Sequence, residues 1–116
     1  MFNKKFLGWL AEIYICLYYV IRLYKPIAWR FKLHKFGEID WIFLKKKELV
    51  FVEVKFRKSK VDLENIVHPK QVMRIMNMSR IFLMKNPLYH QYCLRFDLAV
   101  VSNFKVIRFV NIWNNL

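Results

Sequence analysis

Residues 37–57 read Gly37-Glu38-Ile39-Asp40-Trp41-Ile42-Phe43-Leu44-Lys45-Lys46-Lys47-Glu48-Leu49-Val50-Phe51-Val52-Glu53-Val54-Lys55-Phe56-Arg57. Two runs rich in branched and aromatic residues, Glu38 to Leu44 and Leu49 to Phe56, flank a polar Lys45-Lys46-Lys47-Glu48 segment, which is the pattern of a β-hairpin. Alternate residues of a strand share a face, so Glu38 goes with Asp40 and Glu53 with Lys55. With Leu44 opposite Leu49, Asp40 falls opposite Glu53, and Glu38 opposite Lys55. Two carboxylates so placed approach to about 4–5 Å. At an effective dielectric near 20 they repel by roughly 3–4 kcal/mol. A bound cation offsets that repulsion. Hard oxygen donors without His or Cys beside them select Mg²⁺ or a similar divalent ion, which takes one or two carboxylates and keeps several waters. Lys55 reaches the same pocket, where an ammonium orients a nucleophile or meets charge developing on a phosphate. The alternative for the same pattern is a surface salt-bridge ladder, with Glu38 and Lys55 as an ordinary cross-strand pair.

Outward from this hairpin the chain reads as one domain, residues 1–116, with the order αβββαββ: an α/β fold with a mixed central sheet flanked by helices. Phe6 to Tyr24 is almost wholly apolar and follows Lys4 and Lys5, in imitation of a signal anchor. Glu12 inside it and Arg22 near its end oppose burial in hydrocarbon. As a buried helix, the stretch offers Leu7, Leu10, Tyr14, Leu17, Ile21 and Tyr24 as its packing stripe, and Pro26 as its terminator. Ala28 to Leu33 is a short strand, and residues 57–67 are a polar loop. Pro69 opens a second helix with Val72, Ile75, Met76, Ser79, Phe82 and Leu83 on one face, and Pro87 stops it. Arg95 to Val101 and Lys105 to Val110 close the fold as a hairpin.

Composition narrows the partners. The 116 residues carry 21 Lys+Arg against 8 Asp+Glu, a net charge of +13, while 57% of the chain is hydrophobic and 18% aromatic. Such a chain is not a disordered basic tail. With 2 Gly and 3 Pro it is neither collagen-like nor a linker. A cationic globule suits polyanions, either nucleic acid or an anionic membrane, although AT-rich coding also inflates Lys, Ile, Asn, Phe and Tyr. Cys16 and Cys93 stand far apart, and His34, His68 and His90 are scattered, which argues against a zinc site or a disulfide framework and for a reducing cytoplasm. Four of the eight acids fall between residues 38 and 53, and a fifth, Glu12, is isolated in the greasy helix.

Gly37-Glu38-Ile39-Asp40-Trp41-Ile42 and Leu49 to Arg57 resemble the paired GEIDLI and LVFVEVKxR motifs of the YraN family, small bacterial proteins similar to Holliday-junction resolvases of the PD-(D/E)XK nuclease superfamily. Lys70-Gln71 resembles the family's helical KQ, Arg95-Phe96-Asp97 its RFD, and Gly8 to Glu12 its GxxGE, with Ala11 for the second glycine. Trp41 stands where a small aliphatic residue is usual. The resemblance implies a restriction-endonuclease-like core and metal-dependent hydrolysis of phosphodiester bonds in DNA, branched or flapped. It implies Asp40 and Glu53 as ligands of Mg²⁺ or Mn²⁺, Glu12 as the helix-borne acid that completes the metal and catalytic set, and Lys55 as the catalytic lysine. It also implies Gln71 or Lys70 at the cleft, a structural Asp97 bonded near Arg95, and a homodimer. Lys32, Lys35, Arg57, Lys58, Lys60, Lys70 and Gln71 are the expected nucleic-acid contacts, positioning phosphates without reading bases. Trp29 is the aromatic on offer for base stacking. Two alternatives use the same fold: a catalytically silent nucleic-acid-binding module, and a membrane-peripheral protein anchored by its first helix.

Overall fold

The computed structural model describes residues 3–33, 35–58 and 68–112. Their order is α1 (Lys4–Ile21), β1 (Lys25–Leu33), β2 (Gly37–Lys45), β3 (Glu48–Phe56), α2 (Pro69–Lys85), a 3₁₀ turn (Pro87–Tyr89), β4 (Cys93–Ser102) and β5 (Lys105–Phe109). The strands form one mixed sheet in sequence order, antiparallel except for the parallel pair β3–β4. The α/β order αβββαββ is therefore the observed one. The expected 57–67 loop lies largely outside the described residues, as do Lys60 and His34.

The sheet separates two cores. On one side α2 brings Val72, Ile75, Met78 and Phe82 onto Ile39, Ile42, Leu49, Phe51, Phe96 and Leu98. On the other, α1 brings Ala11, Ile15 and Tyr19 onto Trp41, Phe43, Val50, Val52, Ala99 and Val101. Because both faces of β3 are covered, Leu49 to Val52 are all fully buried, as expected of a strand in the parallel part of a sheet. Aromatic rings continue the second core toward the β1 edge: Tyr19 stacks on Phe43, Phe43 on Trp41 and Trp41 on Trp29.

Three expectations are corrected here. The buried stripe of α1 is Ala11, Ile15 and Tyr19, and Leu10, Tyr14, Leu17 and Ile21 face away from the sheet. The helix is apolar all round, so periodicity alone could not choose its inner face. It ends at Ile21, where Leu23 adopts φ +71°, rather than at Pro26. Pro26 lies inside β1, beside a register shift, and an edge strand tolerates its missing N–H. The polar turn of the first hairpin shrinks to Lys46-Lys47, with Lys46 in the left-handed region at φ +53°. At the other end of β2, Gly37 takes φ +111°, a conformation that suits glycine.

Candidate functional site

The β2–β3 register is the expected one, with Leu44 opposite Leu49 and Trp41 opposite Val52. The ladder stops there. Ile39 and Trp41, two residues apart, belong to opposite cores, so β2 breaks its alternation at Asp40. In the opening that results, Asp40 Oδ2 accepts a hydrogen bond from Val54 N at 2.7 Å, and its carboxyl lies within hydrogen-bonding reach of Glu53.

Glu53 is buried, and α2 fixes it. Gln71 Nε2 donates to Glu53 Oε2 at 2.5 Å, and Arg74 Nη2 donates to the same oxygen at 3.3 Å. Gln71 and Arg74 are three apart on a helix, hence on one face. Arg74 was not singled out from the sequence, though a base one turn beyond Gln71 was a readable signal. Its side chain also packs 3.5 Å from where a Cβ on Gly37 would stand, so Gly37 leaves the room the guanidinium uses.

Burial, then the hydrogen bond and charge of Glu53, push the Asp40 carboxyl up from its ordinary 3.8 to about 9, against the opposing effect of the Val54 N–H. The negative charge of Glu12 acts in the same direction. The folded protein therefore keeps a proton on Asp40 across a range where the unfolded chain has lost it. Stability must fall as pH rises through that range. Metal-free protein is expected to lose roughly 5 °C or more of melting temperature between pH 5 and pH 9. In Asp40→Asn that decline should flatten. Thermal unfolding in chelator checks this, and parallel slopes for the two proteins would contradict it.

Glu12 sits beside the pair without joining it. Its Oε1 accepts from Trp29 Nε1 at 2.9 Å and Arg30 Nε at 3.1 Å. Arg30, at φ +54° within β1, also lies 3.9 Å from Glu38. The expected pairing of Glu38 with Lys55 is thus replaced by Glu38 with Arg30, because the β2–β3 ladder ends before reaching them. Trp41, the unusual residue after Asp40, donates its indole N–H to Glu12 O at 2.9 Å and ties α1 to the sheet. Trp29 is partly exposed, with one face on Trp41.

Lys55 is half-buried on β3, two residues beyond Glu53. Among the described residues no three His, Cys, Asp or Glu side chains gather closely enough to hold a metal. The donor set on offer is accordingly two carboxylates, with Glu12 held apart. Two oxygen donors, one kept protonated by burial and by its neighbour, fit Mg²⁺ or Mn²⁺ with retained waters, and do not fit a fully protein-ligated ion.

The expected phosphate contacts divide between two places. Lys32 lines an open groove with Leu33, Gly37 and Glu38, and Lys35 is exposed in the adjoining turn. Arg57, which donates to Phe56 O, and exposed Lys58 line a separate groove under α1, while Lys70 is exposed at the start of α2. Asp97 is structural: Arg95 grips both its oxygens, at 3.0 and 2.8 Å. Glu48, placed in the polar turn by the sequence, opens β3 and accepts from Arg95 Nη1 at 3.2 Å.

Comparison with known proteins places these residues in a family. A UPF0102 protein of Francisella tularensis subsp. tularensis (strain WY96-3418) is 35% identical over 98 residues, covering 83% of this chain and 84% of the relative. UPF0102 proteins of Nitrobacter winogradskyi and of Rhodopseudomonas palustris (strain BisB18) are 35% and 34% identical, over 82% and 79% of this chain and 80% and 67% of their own lengths. The model of the Uncharacterised protein family UPF0102 matches residues 11–101, from the buried stripe of α1 through Asp40, Glu53 and Lys55 to the end of β4. The chain belongs to that family, UPF0102, the YraN family.

Proposed function

We propose that this protein is a metal-dependent endonuclease that hydrolyses phosphodiester bonds in DNA, with branched or flapped structures as substrate, in the cytoplasm. The observation that carries this reading is the Asp40–Glu53 pair, two crowded carboxyl groups at the point where the β2–β3 ladder opens, with Lys55 two residues along. Asp40 and Glu53 would hold Mg²⁺ or Mn²⁺. When bound, the ion supplies Lewis acidity toward the phosphate and lowers the pKa of water.

The remaining work falls to the chain. Asp40 gives up its proton on binding a cation, so affinity rises with pH. Gln71 and Arg74 hold one oxygen of Glu53 and so orient the other. Glu12, fixed by Trp29 and Arg30, adds negative charge near Asp40 and positions the pair rather than completing it. Lys55 offers its ammonium to charge developing on the scissile phosphate. Lys32, Lys35, Arg57, Lys58, Lys60 and Lys70 contribute phosphate contacts, which makes binding salt-dependent.

The test incubates the protein with flapped, branched and linear duplex DNA, with Mg²⁺, Mn²⁺ or chelator. Metal-dependent cleavage supports the reading. Salt-sensitive binding with no cleavage under any metal rejects it in favour of a binding module. Within an active protein, Arg74→Ala is expected to weaken Mg²⁺ dependence and rate by about 10–100-fold, the usual effect of removing a group that orients a ligand. Titration of cleavage against Mg²⁺ reads this, and an unchanged half-saturation would remove Arg74 from the site.

A further inference from the structure

The outer face of α1 is apolar and uncovered. Ala11, Ile15 and Tyr19 take the sheet side, and at about 100° per residue Leu10, Ile13, Leu17 and Val20 fall opposite them. Leu17 is 56% and Ile21 76% exposed. The patch continues across the β4–β5 turn, because the Tyr14 hydroxyl donates to Phe104 O at 2.5 Å and the Phe104 ring is 87% exposed. Asn103 and Phe104 both have positive φ, at 51° and 63°, an uncommon conformation for an aromatic residue that carries its ring outward. Between helix and turn runs a groove of about 690 Å³, apolar along Leu7, Leu10 and Leu17, with Arg57 and Lys58 at its rim. Exposed Lys105 follows Phe104.

The charge around this face identifies what covers it. Among the described residues no carboxylate lines the groove, and the single acid of α1, Glu12, is turned onto Trp29 and Arg30. A second copy docked on this face would meet a surface of the same sign, since among the described residues the groove is lined by Arg57 and Lys58 and by no carboxylate, on chains of net charge +13. No described helix is long and apolar enough to cross a bilayer. An apolar helix face with a basic rim is the design of a segment lying in the plane of a membrane.

We propose that the outer face of α1, with Phe104 and the Arg57–Lys58 rim, docks on an anionic lipid surface. The rim shares Arg57 and Lys58 with the phosphate contacts of the nuclease reading, but no residue of the carboxylate site takes part, so flotation and cleavage can fail separately.

The test is flotation of the full chain with vesicles of equal parts phosphatidylcholine and phosphatidylglycerol, against pure phosphatidylcholine. Co-flotation is expected with the anionic vesicles alone, weakening as salt rises. Leu17→Glu and Ile21→Glu, both at exposed positions, should each lower partitioning by roughly tenfold. Arg57→Glu combined with Lys58→Glu should abolish the preference for anionic lipid, and circular dichroism should show every variant folded as the parent is. No binding to anionic vesicles, equal binding to neutral ones, or variants that bind as the parent does would overturn the proposal. So would a dimer in sedimentation equilibrium that Leu17→Glu dissociates, since that face would then belong to a second copy.

Discussion

Replacing Glu53 by alanine is expected to lower metal-dependent DNA cleavage by on the order of a thousandfold or more, while the protein stays folded. Glu53 is the point where three elements meet: β3 carries it, β2 sets Asp40 beside it, and α2 holds its Oε2 through Gln71 and Arg74. Its loss removes one of two oxygen donors and leaves Gln71 and Arg74 aimed at nothing. The cost to the fold is smaller than for an ordinary buried acid, because the substitution also removes the charge of Glu53 that adds to burial in raising the Asp40 pKa. The Asp40 pKa should fall part of the way in the variant and stay raised, because burial, the larger cause, remains. Single-turnover cleavage and melting temperature together check this. Cleavage within tenfold of the parent would take Glu53 out of the chemistry.

The largest loss of stability is expected at Asp97, which pairs with Val52 on the neighbouring strand but is bonded on the α1 side of the sheet, outside the carboxylate pair. Its carboxylate is fully buried and accepts four hydrogen bonds: from Tyr19 Oη at 2.8 Å, Arg95 Nε at 3.0 Å, Arg95 Nη2 at 2.8 Å and Asn111 N at 3.0 Å. Those partners belong to α1, to β4 itself and to the segment after β5. Arg95 extends the network to Tyr24 and Glu48. Asp97→Ala leaves a nearly buried guanidinium with only the half-exposed Glu48 as counter-charge, at a cost of about 3–5 kcal/mol. Against a total stability of about 5–15 kcal/mol, that lowers the melting temperature by roughly 15 °C or more. Thermal unfolding decides it, and a drop of only a few degrees would show that water or a neighbour replaces the carboxylate. The variant separates the two roles of acid in this protein, since Asp97 serves the fold whereas Asp40 strains it.

The hairpin was legible because its evidence is local. Two runs rich in branched and aromatic residues, Glu38 to Leu44 and Leu49 to Phe56, joined by a short polar turn, set Leu44 opposite Leu49, and that register is observed. Asp40 and Glu53 stand one position beyond the last observed pair, Trp41 with Val52, and still interact. The end of the ladder at Trp41 was not legible, nor was the left-handed Arg30 that claims Glu12 and Glu38. Both depend on how β1 and α1 press on the far end of β2. Arg74 lay within reach of sequence reasoning through its spacing from Gln71, but only the distance between α2 and β3 makes it a partner of Glu53.

The excess of +13 and the gathering of scarce acids along one hairpin are properties of the sequence, and so are the αβββαββ order and the β2–β3 register. Each rests on interactions between residues close in the chain. Tertiary structure alone decided which side of α1 is inside. A helix apolar on every face has no preferred inner stripe until a sheet presents one, and the packing of Tyr19 on Phe43 selects it by shape. The same choice turns Leu17 and Ile21 outward, and it sets Glu12 against Trp29 and Arg30 instead of within the carboxylate pair.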